Sequence, residues 1–292
     1  MSASMRMTPL DPRIGTEIIG IDLARPLGDE TFRKIETALD ETSLLVVRDQ
    51  DLTPAQQVAF SRRFGPLETY PMRQFTLPDH PEVLIVSTVH ENGKPIGVVD
   101  AGQYWHVDSS WRPKPSLGSV FYARELPAEG GDTLFVSMHV VYDALPEDVR
   151  RRIRPLRGIH DYVRRNEILS ARPGGRPRLT EEQRKAAPPV LHPMVSRHPK
   201  TGRPCLYVNS GMVFAIEGMA EEESRPLLDY LFEFSTDPRF IYRHDWRPND
   251  LIVWDNRSLL HSGTPCAPGM RRTMHRTTVA GDAPLPYCEI AA

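Results

Sequence analysis

The sequence predicts a mainly β protein with a few helices, its short strands forming a barrel instead of a βαβ sheet. Three observations point there. Strand-like runs rich in Val, Ile, Leu and aromatics recur at irregular spacing, 28 prolines punctuate the turns between them, and no Gly-x-Gly-x-x-Gly fingerprint opens a helix. A chain of 292 residues can bury a large core, and no internal repeat divides it.

The elements follow in order. Leu44-Leu45-Val46-Val47 reads as a buried strand, and Thr53-Pro54 caps and opens an amphipathic helix that runs to Phe64 before Gly65-Pro66 ends it. Gln103 to Asp108 reads as an extended strand. Leu117 to Ala123 is another, followed by a turn from Pro127 to Gly131 into Leu134-Phe135-Val136. Residues 138–152 and 224–235 are expected as helices, the second with Leu227, Leu228, Leu231 and Phe232 on one buried face. Phe240 to Trp246, Leu251 to Trp254 and Thr273 to Val279 are expected as the closing strands.

Between Arg157 and Pro204 the pattern changes. This segment is basic (Arg164, Arg165, Arg172, Arg176, Arg178, Arg184, Lys185), broken by Pro173-Gly174-Gly175 and Pro188-Pro189, and shows no core periodicity. It is expected as an insertion (157–204) in a single catalytic domain (1–292): a solvated loop, a subunit contact, or a lid that orders when the site fills. Glu167, Glu181 and Glu182 dilute its charge and few aromatics are interleaved, which argues against a nucleic-acid arm.

Composition excludes several classes. A net charge of −2 gives no general pull toward nucleic acid or anionic membrane, and no window approaches 18 consecutive apolar residues. The first nine residues lack an apolar signal core, so a cytoplasmic protein is expected. Cys205, Cys266 and Cys288 are scattered thiols with no Cys-x-x-Cys pair; Cys266, five residues past His261, is a candidate for the mouth of a pocket.

The chemistry lies in His106-Val107-Asp108 and the distant His261. Two imidazoles and one carboxylate are the ligand set of a mononuclear non-heme Fe(II) oxygenase, which keeps other positions open for co-substrates. On an extended strand His106 and Asp108 share a face about 6.5 Å apart, so both can close on one ion. A hydrogen-bonded His/Asp pair at a strand end remains the plainer alternative for this pair alone. The run from Gly269 to Val279 shifts the balance: as a strand it puts Arg272, Met274 and Arg276 on one face, and two guanidinium groups there call for anionic partners. His139, His160, His192, His198, His244 and His275 lack such partners in sequence and are read as packed or surface side chains. Trp254-Asp255-Asn256 reads as material that packs beside and orients the ligands.

Segments in the same order over nearly the whole chain carry a resemblance: Arg63-Phe64-Gly65-Pro66-Leu67, Trp105 to Ser110, Gly130-Gly131-Asp132-Thr133-Leu134-Phe135, Tyr142 to Pro146, Phe240 to His244, Trp254-Asp255-Asn256-Arg257 and Arg271-Arg272. The chain resembles the taurine dioxygenase and 2,4-dichlorophenoxyacetate dioxygenase family of Fe(II)/2-oxoglutarate enzymes, and looks closer to the second branch. The resemblance implies a double-stranded β-helix (jelly-roll) core with a long insertion, Fe(II) held by His106, Asp108 and His261, and 2-oxoglutarate and O2 as co-substrates. It assigns Thr133 and Arg272 to the distal carboxylate of 2-oxoglutarate, and the spacing of eleven from His261 to Arg272 matches. Arg276 falls where relatives bind the substrate's acid group. Tyr70 stands where taurine enzymes carry a histidine that meets the sulfonate, which makes it a candidate substrate wall with Tyr104 and Trp111. His261-Ser262-Gly263-Thr264 lacks basic residues associated with the chlorophenoxyacetate enzyme.

The implied activity is hydroxylation of a small organic anion, foremost an aryloxyalkanoate carboxylate, with cleavage of the ether link and release of succinate and CO2. An alkyl sulfonate or sulfate dioxygenase is the alternative within the family, and a non-catalytic metal-binding barrel the alternative from another class. The expected partners are that substrate and further copies of the chain, in a dimer or tetramer, with neither nucleic acid nor membrane.

Overall fold

The computed structural model describes residues 5–70, 73–99, 102–172 and 177–287. The chain opens with β1 (Arg6–Asp11), β2 (Ile14–Ile19), α1 (Asp29–Thr42), β3 (Leu44–Val47), α2 (Pro54–Ser61), β4 (Thr76–Leu77) and β5 (His80–Ser87), then a small hairpin of β6 (His90–Glu91) and β7 (Lys94–Pro95). β8 (Gly118–Glu125) and β9 (Thr133–Ser137) lead into α3 (Met138–Ala144) and α4 (Glu147–Ile153). Then come β10 (Arg157–His160), α5 (Tyr162–Ser170), α6 (Glu181–Ala186), β11 (Val190–Pro193), β12 (Val195–Arg197), β13 (Pro204–Leu206), β14 (Val213–Ile216) and α7 (Glu221–Ser235). β15 (Ile241–His244), β16 (Leu251–Asp255), β17 (Leu259–Gly263), β18 (Thr273–Val279) and β19 (Leu285–Pro286) close the described chain.

The architecture is mixed α/β. Its centre is an eight-stranded sheet ordered β1-β2-β3-β16-β8-β18-β5-β4, antiparallel at every step except the parallel pair β2/β3. Three-stranded sheets, β15-β9-β17, β11-β10-β14 and β13-β12-β19, accompany it.

Side-chain alternation decides what each face of the large sheet meets. Leu45, Val47, Val120, Tyr122, Leu251 and Val253 point one way, into a cluster with Phe32, Ile35 and Leu39 of α1 and Phe60 of α2. Leu44, Val46, Phe121, Ile252, Trp254 and Met274 point the other way and pack with Phe135 of β9 and Leu259 of β17. β3 is therefore covered on both faces, which is why its four residues are all apolar. The space between this second face and the β15-β9-β17 sheet holds the site.

Local chemistry sets the helix ends. Thr53 and Gln56 form a reciprocal capping box with Pro54 at the first helical position, as expected, although α2 ends at Ser61 instead of Phe64. The helix expected over 138–152 is two: Leu145 and Pro146 are extended, because proline lacks an N–H and pushes its predecessor out of the helical region. α7 begins at Glu221, three residues earlier than expected. The strand expected from Phe240 to Trp246 runs only from Ile241 to His244, after a 3-10 turn over Pro238–Phe240.

One expectation is corrected, and the region after Arg157 packs more closely than its pattern suggests. Gln103 to Asp108 is no strand: the backbone pairs only at His106, bonded both ways to His261 at 3.0 and 3.1 Å, and then turns through Ser109 with φ +55°. The Asp108 N–H goes to the Asn256 side chain (3.3 Å), so no partner strand continues the ladder. Arg157 to Pro204 lacks a core period because its strands are three or four residues long, yet Met194, Val195 and Cys205 of this region and its border are fully buried in a cluster with α3 and α7.

Candidate metal centre and active site

The three residues singled out for the metal converge. One ligand atom from each of His106, Asp108 and His261 lies within 4.8 Å of the others, and all three side chains are buried. His106 Nε2 is 3.6 Å from Asp108 Oδ1, and His261 Nε2 is 3.8 Å from Asp108 Oδ2. The single bridge at His106 sets the two histidines side by side, with ring centroids 4.2 Å apart.

Each ring is oriented differently. His106 Nδ1 donates to the Tyr104 carbonyl (2.7 Å), which directs the Nε2 lone pair into the cluster. His261 is held by rings, Trp254 at 4.8 Å and Phe135 at 6.3 Å. Burial and the neighbouring His106 drive the His261 pKa well below the usual imidazole range, so the ring is neutral, the form that ligates a metal. Burial alone would raise the Asp108 carboxyl; the Arg276 guanidinium and the two imidazoles outweigh it and hold the group well below the usual carboxylate range.

Arg272 and Arg276 both reach the cavity beside this cluster, as the strand period predicts. Arg276 Nη1 donates to Asp108 Oδ1 (3.2 Å) and its Nε donates to Tyr70 Oη (3.1 Å); the tyrosine hydroxyl also meets Thr278 Oγ1 closely. Tyr70 therefore sits against Arg276. The apolar part of the cavity wall is made by Val86, Val99, Phe121 and Trp254.

Arg272 is a different kind of group. Its backbone is pinned to Thr88 in both directions (2.9 and 3.0 Å), and its guanidinium lies over Phe121, 5.6 Å from the ring centre. Its Nε is buried with no hydrogen-bond partner, and no carboxylate pairs with it among the described residues. Burial pulls its pKa down to about 10, against the opposing pull of Cys266 and Asp132. A buried guanidinium left unpaired is costly, and its planar fork suits a carboxylate. Thr133 lines the same cavity, its Oγ1 accepting from Trp246 Nε1 (3.2 Å) and leaving its own proton to donate. Gly131, at φ +71°, makes the room: a Cβ there would stand 2.8 Å from Arg272 Cδ and 2.9 Å from Cys266 Sγ. The donor set and the orphaned guanidinium fit a divalent iron and a dicarboxylate side by side.

Other residues fall as follows. Tyr104 packs on His106 at 4.8 Å with the Arg165 guanidinium of α5 over the Tyr104 ring at 3.7 Å, and Trp111 stacks on Tyr162 of α5 at 4.8 Å. Cys266 lines the cavity, Cys205 is buried, and Cys288 lies outside the described residues. His198 and His244 do have carboxylate partners, Asp255 at 2.9 Å and Asp250 at 3.2 Å, correcting the expectation that they lack them. Sequence reading missed Ser119, whose hydroxyl bonds Asp108, and Gly102, where a Cβ would collide with the His106 ring at 2.6 Å. Neither has a signal in spacing: one is an ordinary strand serine, the other a glycine in a loop.

Comparison with known proteins agrees with this geometry. The family described as taurine catabolism dioxygenase TauD, TfdA family matches residues 6–278. The chain is 36% identical over 291 residues to the alpha-ketoglutarate-dependent 2,4-dichlorophenoxyacetate dioxygenase of Cupriavidus pinatubonensis, covering 96% of this chain and 99% of that one. It is 35% identical over 296 residues to the (S)-phenoxypropionate/alpha-ketoglutarate-dioxygenase of Sphingobium herbicidovorans, covering 97% of each. The solved structure of AAD-2 in complex with Mn(II) and N-oxalylglycine matches with a TM-score of 0.78 at 32% identity, over 96% of this chain and 99% of that one. No described helix is long and apolar enough to cross a membrane. A clustered two-histidine, one-carboxylate site in a chain matched along almost its whole length makes this protein a member of the TauD/TfdA family, an enzyme of the Fe(II)- and 2-oxoglutarate-dependent dioxygenase class.

Proposed function

We propose that His106, Asp108 and His261 hold the iron, that Arg272 and Thr133 hold the C5 carboxylate of 2-oxoglutarate, and that Arg276 binds the acid group of a small organic substrate, an aryloxyalkanoate carboxylate. The observation that carries this reading is the pair of guanidinium groups four residues apart, Arg276 on β18 and Arg272 just before its first residue, both opening on one cavity beside the metal cluster. Two anions of different origin each find a cation there. The substrate class rests on the relatives, one named for 2,4-dichlorophenoxyacetate and one for phenoxypropionate, and on the apolar wall of Phe121, Trp254, Val86 and Val99 suited to an aryl group.

The bound iron supplies the coupling of O2 reduction to decarboxylation of 2-oxoglutarate, with succinate and CO2 released and one oxygen atom inserted into a substrate C–H bond. The chain supplies placement. Tyr70 and Thr278 set the Arg276 guanidinium, so an acid group bound to it is held on the side of Asp108. His106, its Nδ1 taken by the Tyr104 carbonyl, turns Nε2 toward the metal position that it would share with His261 and Asp108. Hydroxylation at the carbon bearing the ether oxygen gives a hemiacetal, whose C–O bond to the aryl oxygen breaks as the hydroxyl loses its proton. The aryl oxygen takes up a proton to become a phenol, and the remainder becomes an oxoacid.

In this reading the eight-stranded and β15-β9-β17 sheets are the two leaves of a jelly-roll core, a view supported by the apolar cluster they share. The described part of residues 157–204 belongs to an insertion that closes over the site, through Tyr162 on Trp111 and Arg165 on Tyr104, and 173–176 lie outside the described residues.

The test is Arg276→Met with a panel of phenoxyacetate, phenoxypropionate, taurine and an alkyl sulfate, scored by succinate release. The variant is expected to keep the weak visible charge-transfer band of the anaerobic Fe(II)/2-oxoglutarate complex. Its aryloxyalkanoate KM should rise about 30-fold or more, as for truncating one partner of a buried charge pair. Unchanged turnover moves the substrate clamp elsewhere, and preferred turnover of taurine or the sulfate reassigns the substrate. Hydrogen exchange in α5 should slow when Mn(II), 2-oxoglutarate and substrate are added together. Equal exchange in both states makes the insertion static.

A further inference from the structure

Asp108 is the proposed ligand with no strand beneath it. Its backbone leaves a single bridge at His106 and enters a turn with Ser109 at φ +55°, so the direction of its carboxylate depends on what its oxygens touch. Arg276 donates to Oδ1 at 3.2 Å, but Arg276 is also the cation offered to the substrate. The remaining donor is Ser119, whose Oγ–H reaches Asp108 Oδ2 at 2.9 Å. Ser119 is fully buried in β8, in register between Trp254 of β16 and Thr278 of β18. Its hydroxyl is thus carried by a strand bonded on both sides. It is neutral, so it fixes a carboxylate without cancelling the charge a metal needs.

We propose that Ser119 is a positioning residue for the metal centre: its hydroxyl occupies one Asp108 oxygen, so that the carboxylate is held to ligate through the other. This rests on Asp108 being an iron ligand. A group that orients a ligand in this way typically contributes about 10- to 100-fold in metal affinity.

Mn(II) binding to the folded protein, followed by the loss of the free-ion EPR signal, tests it directly. Ser119→Ala is expected to weaken Mn(II) by about 10- to 100-fold, while Ser119→Thr, which keeps the hydroxyl, stays within about threefold of the parent. Ser119→Cys, close in size and a weak donor, reads the same loss if the alanine variant folds poorly. Once saturated with Mn(II), Ser119→Ala should bind 2-oxoglutarate within about threefold of the parent, a split that general loss of structure does not produce. Parent-like Mn(II) affinity in Ser119→Ala alongside lost binding in Asp108→Ala overturns the role of Ser119 alone. Equal losses in the alanine and threonine variants also overturn it, since packing would then be the cause. Parent-like binding in Asp108→Ala overturns the ligand assignment itself.

Discussion

Among the described residues two clusters have the donor atoms of a metal site, and they differ in what already fills them. His106, Asp108 and His261 form one; Asp40, His198 and Asp255 form the other, and in each the ligand atoms lie within 4.8 Å of one another. In the second, Arg257 donates to Asp255 at 2.6 and 2.8 Å and to Asp40 at 2.7 Å, and His198 completes Asp255 at 2.9 Å. Arg257 and His198 hold the Asp255 carboxyl far below its usual range in spite of its burial. A fixed cation occupies the place an ion would take. In the first cluster the nearest guanidinium makes one 3.2 Å contact to Asp108, and a cavity opens beside the histidines. Donor spacing alone does not distinguish a metal site from a salt-bridge network; the charge already present and the open space do.

The largest test of this difference exchanges one carboxylate in each cluster. Asp108→Ala should abolish turnover and lower Mn(II) affinity by well over the ~100-fold typical of losing a supporting group. Asp255→Asn should instead cost about 3–5 kcal/mol in urea denaturation, because it removes the buried charge that Arg257 and His198 share, with Mn(II) affinity of the folded protein largely kept. Similar Mn(II) losses in both variants would erase the distinction.

The arginines sharpen it further. Arg257→Met should destabilise the fold by about 3–5 kcal/mol while leaving the 2-oxoglutarate affinity of the folded enzyme nearly unchanged. Arg272→Met should do the opposite. Its Nε is buried without a partner, so removing the side chain leaves the melting temperature unchanged or raises it, while 2-oxoglutarate binding weakens by about 2–5 kcal/mol. Calorimetric titration of 2-oxoglutarate and a melting curve on each variant decide it; a marked drop in the Arg272→Met melting temperature shows a structural arginine.

The smallest expected effect is acid sensitivity beside the filled cluster. His139 packs against His198, its ring centre 5.8 Å away, and burial, aided by Arg203 and His198, lowers its pKa to about 4 despite its bond to the Pro204 carbonyl. The folded form is then neutral where the unfolded chain binds a proton. Stability is fully present above about pH 6.5 and is lost as pH falls toward 4, by at most about 3 kcal/mol from this group. Urea denaturation across that window should slope less in His139→Gln; an unchanged slope assigns the acid loss to other groups.

The candidate ligands were legible in sequence through the resemblance that singles out His-x-Asp, a distant histidine and two arginines four residues apart, since His-x-Asp by itself is common. The capping box of α2 and the buried run of β3 were legible from local pattern. The path of residues 103–110 was not, since a strand needs a partner and the chain finds one only at His106. Nor was the packed region after Arg157, whose strands are too short to show a period.

By itself the sequence determined which side chains could bind iron and two anions, and that strands would dominate the core, because residue chemistry and side-chain alternation are properties of the chain. Only the tertiary structure decided which of the two histidine and carboxylate clusters stays open. That choice depends on residues far apart in sequence: Arg257 reaching Asp40 across 217 positions closes one, and Gly131 leaving space for Arg272 across 141 positions shapes the other. Short-range pattern carries no information about such contacts. Strand order and register, which put Ser119 of β8 against Asp108 and Phe121 beneath Arg272, bring these groups within reach.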